Sequence, residues 1–211
     1  MSTDAKSAKH VRSAMFNFPN QLTSLRLLLS VVMFCFVTQD YYLTSFVLFV
    51  IAAGTDWLDG YYARKYGQVT TLGRILDPFA DKVIVCGTFI FLAADPTMHG
   101  VPGGLRAWMV VVIVGRELLV TALRSFIEDR GSDFSAKLSG KLKMVFQCVA
   151  AATCLFYLYW YERKTPPQHI ADCTSDWMWW MLVGFVWSSV ALTVYSGLVY
   201  VRMAVRLLRD A

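Results

Sequence analysis

Two stretches of this chain hold no charged residue for long enough to cross a lipid bilayer, 144–161 and 177–201. A crossing helix needs about 20 predominantly apolar residues, and a charge-free run near 18 already meets that need. Four further runs, 27–39, 41–55, 83–94 and 107–115, are too short alone. Each reaches full length if its helix continues into a charged segment at one end: Arg26 before the first, Asp56 and Asp59 after the second, Asp77 to Lys82 before the third, Arg116 to Arg124 after the fourth. The reading is therefore an all-α integral membrane protein with six transmembrane helices, at roughly 20–38, 42–64, 76–94, 106–128, 139–161 and 176–203. Two regions follow, an N-terminal amphipathic segment 1–19 and a six-helix transmembrane domain 20–206.

Composition agrees. With 56% hydrophobic and 17% charged residues and a mean hydropathy of +0.47, neither disorder nor a water-soluble domain is expected. Yet the chain carries a net charge of +5, which fits nucleic acid, an anionic membrane surface or an anionic substrate. Placement decides. With the N-terminus inside, inner segments hold Lys6, Lys9, Arg12, Arg64, Lys65, Arg74, Arg130, Lys137, Lys141, Lys143, Arg202, Arg206 and Arg209, against Arg106, Arg163 and Lys164 outside. That asymmetry predicts both termini in the cytoplasm and charge-bearing helix ends on the same face, with no nucleic-acid partner. Residues 5–18 suit an interfacial helix on anionic membrane lipids or a plain tail, and no cleavable leader is read in the first 19. Trp160, Tyr161, Trp177, Trp179 and Trp180 bracket the outer loop 162–176 as an aromatic belt, and the cysteines read as small buried hydrophobes with a lone loop thiol at Cys173.

Ionisable side chains inside membrane helices are costly and by default serve a polar site. The densest group lies in residues 56–82. Asp56 and Asp59 at i, i+3 share one helix face, as do Asp77 and Asp81 at i, i+4. Four carboxylates gathered in a low dielectric repel unless cations neutralise them. An all-oxygen donor set with no His or Cys suits Mg²⁺, Mn²⁺ or Ca²⁺ rather than Zn²⁺, and two such ions about 3.5–4 Å apart form a clamp for in-line phosphoryl displacement. Gly60, Ala63 and Gly73 leave a bare backbone beside the carboxylates, which serves a bulky anion or close helix packing equally. Arg64 fits a phosphate contact or an inner-face anchor.

The pattern Asp56-x2-Asp59-Gly60-x2-Ala63-Arg64-x8-Gly73-x3-Asp77-x3-Asp81 resembles, with every spacing intact, the signature of the CDP-alcohol phosphotransferase family. The resemblance implies that family's membrane fold and the movement of a substituted phosphoryl group from a CDP-linked donor to an alcohol, with release of CMP. It implies two divalent cations, Mg²⁺ or Mn²⁺, on Asp56, Asp59, Asp77 and Asp81, with Asp81 as general base. Gly60, Ala63, Arg64 and Gly73 would form the CDP site. Asn20, Thr23 and Arg26 line it from the first helix, or act as a cap and an interface anchor.

The acceptor must be read elsewhere. Arg116, Val120 and Arg124 form one stripe, and Lys137, Lys141 and Lys143 stand at the start of the fifth helix. These five cations suit an acceptor carrying a phosphate monoester. Pairing of Arg116 with Glu117 or Asp129, and solvated lysines, is the plainer account. The runs Arg116-Glu117-Leu118-Leu119-Val120-x-x-Leu123-Arg124, Gly140-Lys141-Leu142-Lys143 and Asn17-Phe18-Pro19-Asn20-x-Leu22-Thr23-x-x-Arg26 resemble the branch of the family whose acceptor is sn-glycerol 3-phosphate and whose donor is CDP-diacylglycerol. A homodimer in a bacterial cytoplasmic (inner) membrane is a further implication of the resemblance. Sister activities on inositol phosphate, serine or phosphatidylglycerol are the nearest alternatives. A divalent-cation transporter built on the four Asp is a different class, and the runs 83–94 and 144–161 read as offering it no outward polar path.

Overall fold

A computed structural model describes residues 18–66, 71–128, 138–164 and 176–209, with backbone alone at 18–20, 56–66, 71–75, 77, 124–128, 138–141, 164, 207 and 208. The expected segment 1–19 therefore lies almost wholly outside the described residues. Seven helices stand among those described: α1 Phe18–Val37, α2 Tyr42–Tyr66, α3 Thr71–Ala94, the short α4 Pro96–Gly100, α5 Ala107–Glu128, α6 Leu138–Lys164 and α7 Trp177–Arg209. The third begins at Thr71 rather than at the expected 76 and carries Pro78 in its interior. A proline there cannot donate the helical hydrogen bond to the carbonyl of Arg74, one turn before it.

Among the residues with described side chains, two helical segments are long and apolar enough to cross a membrane, Leu142–Arg163 and Trp177–Arg206, and the parts of α1 and α2 so described, Gln21–Val37 and Tyr42–Thr55, are apolar over shorter lengths. The outward faces are nevertheless apolar. Leu28 on α1, Val50 and Ile51 on α2, Val111 and Leu118 on α5, Val145 on α6 and Leu198 on α7 are all exposed. Large apolar side chains exposed on so many helices fit an apolar surrounding, and lipid supplies it. The chain is a membrane protein.

Two compact units divide it, Met1–Gly87 and Thr88–Ala211, with the division inside α3. In the first, α1 and α2 pack together, joined by only four residues and so antiparallel. The connection is a Schellman-type end: Asp40 takes a left-handed φ of 63°, Tyr41 N–H donates to Phe36 O at 3.0 Å and Asp40 N–H to Val37 O at 3.2 Å. Phe36 and Tyr41 close it with an edge-to-face ring contact at 5.9 Å. The buried residues of α1 are Thr23, Arg26, Ser30, Met33 and Val37, and those opening α2 are Tyr42, Ser45, Phe49 and Ala52. Both series alternate steps of three and four, the seam of knobs-into-holes packing. Continued along α2, the same steps land on 56, 59 and 63. At Gly87 of α3 an added Cβ would overlap the Phe34 ring of α1, so glycine permits this close approach.

The second unit packs α5 and α6 on α7. Its core is apolar toward one end, with Leu155, Leu158, Met178 and Leu182 fully or almost fully buried. The connection between α3 and α5 is ordered by side chains: Asp95 caps α4 by accepting from Thr97 N–H at 2.8 Å, and Arg106 donates to the carbonyls of His99 and Val101. Two indoles of α7 hold the turn down, Trp179 donating to Pro102 O at 2.8 Å and Trp187 to Gly103 O at 3.1 Å. Trp179, expected only as a belt residue, is thus also a tether.

Candidate active site

In the first unit the chemistry gathers on Arg26 and Asp81. Arg26 is almost completely buried in the α1 seam, and its Nη1 donates to Asp81 Oδ1 at 2.7 Å. The Asp81 side chain keeps 26% of its exposure, so a buried cation grips a carboxylate that still reaches solvent. That charge-assisted bond fixes the orientation of the carboxylate. Ser30, one turn on, donates its hydroxyl to the Arg26 carbonyl at 2.8 Å, and Thr23, one turn back, is fully buried. Arg26, expected to line the nucleotide pocket or to serve as an interface anchor, has Asp81 as an ion-pair partner.

The remaining carboxylates are placed by register. Arg26 stands 11 residues before Val37 and Asp56 stands 14 after Tyr42, so on antiparallel helices they fall within about one turn of the same level. Asp56, Asp59 and Ala63 occupy the steps that continue the α2 seam, and Asp77 stands one turn before Asp81 on α3. The side chains of Asn20, Asp56, Asp59, Gly60, Ala63, Arg64, Gly73 and Asp77 lie outside the described residues. Among the described residues no three His, Cys, Asp or Glu side chains gather as a metal site. The donor chemistry still fits hard divalent cations, since every candidate is a carboxylate on two helices that meet the Arg26 level.

In the second unit, Arg116 and Lys143 converge on one carboxylate that sequence reading treated only as a pairing partner. Glu117 Oε1 accepts from Arg116 Nη1 at 3.2 Å and also pairs closely with Lys143 Nζ. All three side chains are largely buried, and the guanidinium stands over the Tyr200 ring of α7 at 5.4 Å. Gly197 makes room for the arginine stem, because a Cβ there would sit 3.1 Å from its Cγ. Lys143 is therefore not a solvated inner-face charge. Arg124, Lys137 and Lys141 lie outside the described side chains.

A polar seam continues from this cluster. Gln147 donates to Thr193 Oγ1 at 3.1 Å, both side chains buried, and Ser189, Ser196 and Tyr200 are buried on the same helix as Thr193. Reading 144–161 as bare of polar groups was too coarse, because Gln147 is uncharged and vanishes in a search for charge. A three-to-four spacing of Ser189, Thr193, Ser196 and Tyr200 was the available signal.

Comparison with known proteins adds the following. The family model described as CDP-alcohol phosphatidyltransferase matches residues 16–195. A Bacillus subtilis (strain 168) protein is 33% identical over 201 residues, covering 88% of this chain and 94% of its own length. A Pseudomonas fluorescens protein is 32% identical over 201 residues, covering 89% and 90%. A Cereibacter sphaeroides protein is 30% identical over 226 residues, covering 92% and 98%. All three carry the name CDP-diacylglycerol--glycerol-3-phosphate 3-phosphatidyltransferase.

Proposed function

The chain belongs to the CDP-alcohol phosphatidyltransferase family, and from that premise we propose that it transfers the phosphatidyl group of CDP-diacylglycerol to sn-glycerol 3-phosphate, giving phosphatidylglycerophosphate and CMP. The observation that carries this is the intact carboxylate spacing from Asp56 to Asp81, within a match covering most of the chain, with Asp81 tied to the buried Arg26.

In this reading Asp56, Asp59, Asp77 and Asp81 hold two divalent cations, Mg²⁺ or Mn²⁺, which when bound supply neutralisation of the donor diphosphate and of the charge developing on CMP. The residues of the chain do the rest. Arg26 orients Asp81, whose carboxylate accepts the proton of the glycerol primary hydroxyl. The hydroxyl oxygen attacks the phosphatidyl phosphorus, a new P–O bond forms, and the P–O bond to CMP breaks. Gly60, Ala63, Arg64 and Gly73, with Asn20 and Thr23, bed the CDP group. Arg116 and Lys143, with Arg124, Lys137 and Lys141, hold the acceptor phosphate, Arg by a planar fork and Lys as a point charge. Six membrane helices with both termini and the site on the cytoplasmic face of a bacterial inner membrane let the acyl chains stay in lipid while both headgroups meet at the interface.

The test is CMP release by purified protein given CDP-diacylglycerol and one acceptor at a time. Turnover with sn-glycerol 3-phosphate, and none with inositol phosphate, serine or phosphatidylglycerol, is expected. Turnover with inositol phosphate but not glycerol phosphate would reassign the acceptor.

A further inference from the structure

Three helices of the second unit are tied to one another by side chains at neighbouring levels. Glu117 of α5 pairs with Lys143 of α6. The Arg116 guanidinium of α5 stands over the Tyr200 ring of α7 at 5.4 Å, with Gly197 leaving room for its stem. Gln147 of α6 closes the third side, its Nε2 donating to Thr193 Oγ1 of α7 at 3.1 Å. Gln147 follows Lys143 by one turn and Thr193 precedes Gly197 by one turn, so this bond lies beside the cations that the acceptor reading uses.

Both partners of the bond are buried, and their neighbours one turn away are small: Ala150 and Ala151 on α6, Ser189 and Ser196 on α7, all fully buried. Small residues let two membrane helices approach closely. A smooth surface of alanine and serine, however, does little to fix the rotation or level of one helix against the other. A buried amide–hydroxyl bond does fix them, because it is directional and its donor is costly to leave unmade. A single polar residue in a coiled-coil seam sets register in the same way, at some cost in stability.

We propose that the Gln147–Thr193 bond is a register clamp for acceptor binding: it sets the level of α6 against α7 and so places Lys143 where it shares one phosphate with Arg116. The inference rests on the acceptor reading above and adds two positioning residues to it, which act through Lys143 and Arg116 rather than on the substrate. Hydrogen bonds to phosphate are made within about half an ångström of their best length, so a small drift of α6 weakens the grip on the acceptor. The residues assigned to the CDP group stand on α1, α2 and α3 and include neither member of the clamp.

The test is steady-state kinetics of the purified full chain with each substrate varied, beside thermal unfolding. Thr193→Val keeps the shape of the side chain and removes the acceptor; Gln147→Met keeps the length and removes the donor. Each should raise the KM for sn-glycerol 3-phosphate about fivefold, with kcat and the KM for CDP-diacylglycerol within about twofold of the parent. The double variant should match the singles, since one bond is lost only once. Thr193→Ser keeps the hydroxyl and should hold the parent KM. So should Ser189→Ala, at an equally buried site one turn away whose hydroxyl has no partner among the described residues. Thr193→Val carries the test should Gln147→Met fail to fold. Three results would each overturn the inference by leaving Gln147 to packing alone: both KM values and kcat moving together, no change in the folded variants, or a Ser189→Ala effect as large as that of Thr193→Val. Lys143→Met separates the two layers. If it leaves the glycerol phosphate KM unmoved, the acceptor reading falls and the clamp with it. If it raises that KM while Thr193→Val does not, the acceptor reading stands and the clamp is lost.

Discussion

The two units handle buried charge in opposite ways. In the first, one fully buried cation, Arg26, serves a carboxylate that remains a quarter exposed. In the second, one largely buried carboxylate, Glu117, serves two cations. A charged group held on one side by a buried partner and open on the other is oriented yet still available, which suits an acid or base. Two cations gathered on one buried carboxylate are held together at one place, which suits a site for an incoming anion. The same physics, that a buried charge must be paired, therefore yields two kinds of site according to whether a cation or a carboxylate stands at the centre.

The largest effect should follow from removing a carboxylate of the first unit. Asp77→Asn keeps size and shape but removes the charge that a divalent cation needs, so turnover should fall by about a thousandfold or more. CMP release measures this directly, and full activity would discredit the metal reading. A smaller effect belongs to the buried cation. In Arg26→Ala, Asp81 loses the group that orients it, and activity should drop by about a hundredfold with a loss of about 2 kcal/mol in stability. The stability loss should shrink in the double variant Arg26→Ala, Asp81→Asn, because the carboxylate that Arg26 served is then neutral. Lys143→Ala is the contrast: Glu117 keeps Arg116, so stability should move less than in Arg26→Ala. Thermal unfolding of the three variants ranks the two units, and an equal loss in all three would erase the distinction drawn between them.

Sequence reached these two regions unequally, for a physical reason. The carboxylates were legible because metal chemistry demands a fixed spacing within two adjacent helices, and spacing is what a sequence displays. The Arg26–Asp81 pair joins residues 55 apart and Glu117–Lys143 residues 26 apart, and no local pattern encodes which of several charges will meet. Neither pairing was read from the sequence, where Arg26 stood as a nucleotide contact or an interface anchor and Glu117 as one of two pairing partners for Arg116. Helices were legible for the same reason as the carboxylates, although α3 starts five residues earlier than its apolar run suggests, because Thr71 to Leu76 carry a helix without being apolar enough to announce it. The seam on α7 stayed hidden since Ser and Thr pass as apolar in a membrane helix, where they satisfy their hydroxyls on the backbone or across a helix pair.

Packing between α1 and α3 gives a weaker handle on the first unit. Gly87→Ala would drive a methyl into the Phe34 ring, and overpacking of that kind costs about 1–3 kcal/mol. Because the ring is the far end of a side chain, the lower figure is expected, and Phe34→Leu in the same chain should recover most of it. Activity should fall with stability here, since α3 carries Asp81 toward α1. No equivalent position is expected to matter at Gly54, Gly115 or Gly184, where an added Cβ meets nothing within 4 Å. Alanine at those three sites should leave the midpoint of unfolding unchanged or slightly raised.

The smallest effect lies at the turn that aligns α1 with α2. Asp40 sits at a φ of 63°, where a β-branched residue is strained, and its carboxylate accepts from the Tyr42 hydroxyl at 2.9 Å. Asp40→Val removes the acceptor and adds the strain, so a loss of about 1–2 kcal/mol is expected. Asp40→Gly removes the acceptor but relieves the backbone, and the two should nearly cancel. Asp40→Asn keeps both an acceptor and tolerance for the left-handed conformation and should match the parent chain. If valine and glycine were equally harmful, the bond to Tyr42 rather than the backbone would be holding the turn. The α1–α2 seam, and the level at which Arg26 meets the carboxylate steps of α2, would then depend on a side chain that solvent can replace.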